Sequence, residues 1–167
     1  MNTQTEITRR PITSDDEALL YRIYASTRVE ELALTNWDDA QKAAFLMMQF
    51  TAQHRYYQEH YSDATFEVIL VDGQPAGRLY VGRWPEEIRI VDIALLPEYR
   101  NAGIGTTLLK GILEEAAQTG RRVSIHVERF NPAMRLYERL GFSTVGEHGV
   151  YYLMEWLPVN STKSDKL

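Results

Sequence analysis

Val91-Asp92-Ile93-Ala94-Leu95-Leu96-Pro97-Glu98-Tyr99-Arg100-Asn101-Ala102-Gly103-Ile104-Gly105-Thr106 is the stretch on which the reading of this sequence turns. A β-rich run stops at Pro97, which cannot donate to a strand ladder. A loop with an arginine and two glycines follows. Ile104, Leu108, Leu109, Ile112, Leu113 and Ala116 then recur at helical spacing to about Thr119, where Gly120 supplies a stop. Backbone N–H groups in such a loop and in the first helical turn lack intrahelical partners, so they form a cradle for an anion. Glycine lets a phosphate approach the backbone without a Cβ in the way, and Arg100 adds a full positive charge. Two common phosphate loops do not fit. A Walker loop needs a lysine where Thr106 stands, and a dinucleotide fingerprint needs glycine at Leu108. On these residues alone, a glycine-eased turn with a solvated arginine is an equal reading.

Working outward, Arg122 to Val127 alternates, with Val123, Ile125 and Val127 on one strand face and His126 on the other. Asn131-Pro132 is expected to open a short helix through Leu140, with Gly141 as its stop. Ser143 to Glu147 and Val150 to Trp156 form a closing hairpin around His148-Gly149. Upstream, Thr65 to Val71 and Ala76 to Arg83 flank Asp72-Gly73, a strong hairpin signal. Ile88 to Ala94 makes the next strand. Glu6 to Arg10 reads as a short first strand. Thr13 or Ser14 then caps a helix carrying Leu19, Leu20, Ile23 and Tyr24, and a longer helix runs from after Asn36 to about His60. The order predicts an α/β chain with a mixed (α+β) sheet and helices packed on it.

The chain has 167 residues, 44% of them hydrophobic, which suits one domain over residues 1–158 and a polar, flexible tail over 159–167. Net charge is −5, so no nucleic acid or anionic membrane partner is expected. There are no cysteines, which removes disulfides, thiolate metal sites and a cysteine nucleophile, and the four histidines lack metal-ligand spacing. No metal is expected. Met1 to Arg10 has no apolar signal core and no run approaches the roughly 18 apolar residues of a membrane span, so the cytoplasm is the expected compartment.

Arg100-x-x-Gly103-x-Gly105 between a strand and an amphipathic helix resembles the acetyl-CoA signature of the GNAT superfamily of acyltransferases. A second match lies downstream: Asn131-Pro132-Ala133-Met134-Arg135-Leu136-Tyr137-Glu138-Arg139-Leu140-Gly141-Phe142 is similar to that superfamily's "N…LYE.LGF" segment. Here Asn131 precedes Tyr137 by six residues where relatives commonly show seven. The resemblance implies the GNAT fold, with central strands that splay apart and helices on both faces, and acetyl-CoA as cosubstrate. It implies that the pantetheine arm pairs with the backbone of Ile93, Ala94 and Leu95. Arg100, Asn101, Ala102, Gly103, Ile104, Gly105 and Thr106 would take the pyrophosphate, with Asn131 also against the cofactor.

The implied activity is N-acetyl transfer to a primary amine of a small molecule or peptide. Tyr137 matches the tyrosine that such enzymes place near the thioester sulfur as general acid; a core-packed helix tyrosine is its bland alternative. His126 is the first candidate base, with an ordinary pKa of about 6.5 suited to neutral pH. Asp92 is the second, and water alone is a third route. Thr27 to Trp37 with Tyr56 and Tyr57 would shape the acceptor site. Glu30 and Glu31 could draw a cationic amine there or form a solvated acidic face. Arg83 and Trp84 suit an anionic or aromatic acceptor, or a hairpin cap. The alternative to an enzyme is a catalytically silent module that binds acetyl-CoA. Acetylation of aminoacyl-tRNA is disfavoured by the acidic balance. The resemblance also implies a homodimer, with Tyr56 to Tyr61 and Tyr151 to Trp156 as candidate surfaces.

Overall fold

The computed structural model describes residues 4–158, so the expected tail, 159–167, lies outside the described residues. Seven strands, β1 (Ile7–Pro11), β2 (Thr65–Val71), β3 (Gln74–Arg83), β4 (Glu87–Leu95), β5 (Arg122–Glu128), β6 (Ser143–His148) and β7 (Tyr151–Trp156), form a sheet ordered β1-β2-β3-β4-β5-β7-β6. The sheet is mixed, as expected: β4 and β5 are parallel, while β1/β2, β5/β7 and β6/β7 are antiparallel. The helices are α1 (Glu17–Ser26), α2 (Val29–Ala33), α3 (Asp39–His60), α4 (Ile104–Thr119) and α5 (Met134–Arg139). Among the described residues, no helix is long and apolar enough to cross a membrane.

Two compact units divide the chain. One takes the residues up to Tyr80 together with Asp92–Arg100, and the other takes Val81–Val91 with the residues from Asn101 onward. In the first, Asp72 (φ 50°) and Gly73 (φ 82°) are both left-handed, as a two-residue hairpin turn between β2 and β3 requires. Thr13 and Asp16 form a capping box around a single 3-10 turn, Ser14–Asp16, before α1 begins at Glu17. Arg10 clamps that turn through two bonds to Asp16, both 2.8 Å. Asp38 and Gln41 form a second capping box that fixes the start of α3. Leu20, Ile23, Tyr24, Phe50 and Leu96 make one apolar cluster of this unit, and Val68, Ile69, Leu79 and Tyr80 of β2 and β3 are buried as well. At Gly77 on β3, an added Cβ would fall 2.1 Å from the Ala94 carbonyl oxygen of β4. No other residue type leaves that carbonyl room.

In the second unit, α4 buries Ile104, Leu109, Ile112, Leu113 and Ala116, and β5 buries Val123, Ile125 and Val127. Gly120 ends α4 in the left-handed region at φ 68°. The helix expected from Asn131 begins at Met134 instead. The Asn131 side-chain carbonyl accepts the Ala133 N–H at 2.8 Å, holding Asn131 to Ala133 in a turn ahead of α5.

Candidate functional site

In the first unit the site residues come from the C-terminal half of β4. The register between β4 and β5 runs from Glu87↔Arg122 to Ile90↔Ile125, whereas β4 continues to Leu95. Val91 to Leu95 are all half-buried, although β4 lies in the interior of the strand order. This is where Ile93, Ala94 and Leu95 sit. The Leu96 N–H donates to the Ala76 carbonyl at 2.8 Å, anchoring the end of the run. Arg100 is exposed, but its guanidinium is engaged: Nε donates to the Leu95 carbonyl at 2.9 Å and Nη2 donates to Ser26 Oγ at 3.1 Å. Its charge therefore rests on the C-terminal end of α1, where a cation is favoured by the helix dipole.

In the second unit, Asn101 (φ 61°) and Gly103 (φ 81°) turn the chain through the left-handed region into α4. The first intrahelical bond is from Thr107 N–H to the Gly103 carbonyl at 3.0 Å. The N–H groups of Ile104, Gly105 and Thr106 thus precede the helical ladder and can serve an anion. Gly103 is explained by its backbone angle. Gly105 is not: it lies within α4 in ordinary helical conformation, and an added Cβ would meet nothing within 4 Å. Folding places no demand for glycine there, and the same holds for Gly111 further along α4.

His126 is exposed on β5, on the face opposite Val123, Ile125 and Val127. Partial burial lowers its pKa, and the positive charges of Arg89 and His148 lower it further, so the ring is neutral near pH 7. Tyr137 on α5 is 5% exposed, its ring meeting Phe142 edge-on with centroids 5.9 Å apart. Asn131 is exposed, and its side-chain oxygen serves the turn before α5. Among the described residues, no group of three or more His, Asp or Glu could hold a metal ion. Of the acceptor candidates, Glu31 pairs with Arg28, and Arg83 pairs with Glu115 at 2.7 Å.

Sequence reasoning passed over Arg78 entirely. It is a buried arginine on β3, hydrogen-bonded to Asp92 and Gln53. The signal available was its interruption of the apolar run Ala76 to Val81. Gly77 was likewise missed, since nothing local distinguishes it.

A family model described as the Acetyltransferase (GNAT) family matches residues 27–142. A Bacillus subtilis protein provisionally named a [ribosomal protein bS18]-alanine N-acetyltransferase is 34% identical over 108 residues, spanning 58% of this chain and 70% of that one. An N-alpha-acetyltransferase of Sulfurisphaera tokodaii is 28% identical over 142 residues, 75% of this chain and 85% of that one. In fold, the PaiA N-acetyltransferase of Thermoplasma acidophilum, solved in complex with coenzyme A, superposes with a TM-score of 0.68 at 18% identity, over 91% of this chain and 99% of that one. The likeness in fold extends over nearly the whole of both chains. The chain belongs to the GNAT acetyltransferase family.

Proposed function

We propose that residues 1–158 work as one domain that binds acetyl-CoA and moves its acetyl group directly to a primary amine, with a polypeptide N-terminal α-amine as the favoured acceptor. The family model draws residues from both compact units, which supports the single domain. The names of the Bacillus and Sulfurisphaera relatives support the acceptor class. The Ile104, Gly105 and Thr106 amides, which precede the helical ladder that starts at Thr107, carry cofactor binding, and Gly105 leaves them open to close approach. In this reading the Asn101 to Thr106 amides receive the pyrophosphate, and the backbone of Ile93 to Leu95 receives the pantetheine arm. Arg100 supports this by holding the Leu95 carbonyl.

The amine nitrogen attacks the thioester carbonyl carbon and the C–S bond breaks. Tyr137 gives its phenolic proton to the departing thiolate. His126, neutral at the working pH, removes the amine proton directly or through water. Much of the acceleration comes from holding the two reactants together. The chain is also proposed to pair as a homodimer, which light scattering across concentrations tests.

A hexapeptide with a free N-terminal alanine and its N-acetylated twin, each mixed with protein and acetyl-CoA, test the reading by thiol release. Release with the free peptide alone is expected. Acetyl-CoA binding without release for any amine in a wider panel would leave a silent module instead.

A further inference from the structure

Arg78 is a charged side chain in the interior of β3, only 3% exposed. Its Nη2 donates to Asp92 Oδ2 at 2.8 Å and to Gln53 Oε1 at 2.9 Å. The Tyr57 hydroxyl donates to the same Asp92 Oδ2 at 3.0 Å. One side chain from α3 and one from β3 therefore converge on a single carboxylate oxygen of β4.

A buried ion pair of this kind is no cheaper than apolar residues of similar volume, and it costs more when polar atoms are left over. Two are left over here, since Arg78 Nε and the Tyr80 hydroxyl are buried without a partner among the described residues. Stability alone would not select the arrangement. What it does accomplish is geometric. Both bonds to Asp92 fall on Oδ2, and among the described residues none is made to Oδ1. The Asp92 side chain is 14% exposed, and it immediately precedes Ile93-Ala94-Leu95 in the half-buried run of β4.

We propose that Asp92 Oδ1 is an acceptor-amine subsite: it takes an N–H of the incoming primary amine and aims the nitrogen for attack. Arg78, Tyr57 and Gln53 are positioning residues that hold the carboxylate still. Arg78 also offsets the aspartate's charge, so the subsite does not trap the amine in its protonated, unreactive form. Asp92 carries no proton in this scheme, which separates it from the base. The inference rests on the transferase reading, and its test is separable from that reading.

The probe is alaninamide, the smallest α-amine carrying a peptide-like amide, titrated into protein labelled with 13C at aspartate carboxyls and saturated with CoA. Asp92→Asn assigns the signal. A shift of the Asp92 carboxyl resonance on titration is expected, and no shift up to the solubility limit overturns the subsite whether or not any peptide turns over. The paired variant Arg78→Met/Asp92→Leu replaces the ion pair by apolar residues, so folding and function separate. It should melt near the wild type and bind acetyl-CoA unchanged, while kcat/KM for the alanine hexapeptide falls about 10- to 10²-fold. Turnover within about threefold of wild type in the folded double variant makes the network structural only and overturns the proposal. Should that variant not fold, Tyr57→Phe is expected to raise the amine KM with acetyl-CoA affinity intact, and an unchanged KM counts against the subsite. Failure of wild-type protein to bind acetyl-CoA in the same titrations would instead sink the transferase reading.

Discussion

Gly105→Ala separates folding from ligand binding in the loop proposed to hold the cofactor. Its Cβ would enter open space, with nothing within 4 Å, so no packing or strain cost is incurred. The residue is helical, and alanine is favoured over glycine in a helix by up to about 1 kcal/mol, less in a first turn. A stabilisation of about 0.5 kcal/mol corresponds to roughly 1–2 °C in Tm at this chain length. The cofactor should respond in the opposite sense. A methyl group at the mouth of the amide cradle separates the phosphate from donors whose charge-assisted bonds are worth roughly 1.5–3 kcal/mol. That is about a 10- to 150-fold rise in Kd. Thermal melts and calorimetry with CoA on one protein sample measure both quantities. A higher Tm with unchanged Kd would refute the reasoning, since the glycine would then have neither a structural nor a ligand-based cause.

Tyr137→Phe removes one hydroxyl from a buried ring; the chemical step is expected to slow about 10²-fold or more in single-turnover kinetics while acetyl-CoA affinity holds. Full turnover would take Tyr137 out of the mechanism. Because His126 has its pKa lowered by burial, Arg89 and His148, the acidic limb of kcat/KM should lie below pH 6.5, and Arg89→Gln should move it upward. A limb that ignores Arg89 argues against His126 as base. The hydrogen bond from Arg10, outweighing burial, brings Asp16 from its ordinary 3.8 down to about 2. The folded value lies below the unfolded one, so the stabilisation is present above about pH 4 and fades as pH falls towards 2. Unscreened, the gap would be worth about 2.4 kcal/mol. With the Arg10 side chain 39% exposed, about 1 kcal/mol is expected. Denaturant melts of Asp16→Asn should show that loss at neutral pH and none near pH 2.

Local chemistry was legible where one residue dictates the backbone. Thr65 to Val71 with Asp72-Gly73, and the α4 stop at Gly120, match the expected positions because turn and stop are written in adjacent residues. Thr13 was read as a cap, but it caps a 3-10 turn before α1 rather than the helix itself. α2 was not foreseen, since Val29–Ala33 is five residues, too short to show a period. The turn through Asn101 and Gly103 into α4 was visible as a motif. The Arg78–Asp92–Tyr57 network was not, because its members stand 14 and 35 positions apart and meet only when α3 lies over the sheet strands. Gly77 belongs with them, as its reason is a carbonyl seventeen residues downstream in the order Gly77, Ala94.

That carbonyl has a consequence for how tolerance to mutation would be interpreted in this protein. In a saturation screen scored by activity, position 77 would rank beside the chemical residues. Every side chain collides with main-chain oxygen, and relief can come only by moving β3 or β4. Position 105 would rank there too, yet a parallel screen scored by cellular abundance would split the pair, losing the variants at 77 and keeping alanine at 105. Intolerance alone would thus name as a site residue a position constrained by the packing of two strands.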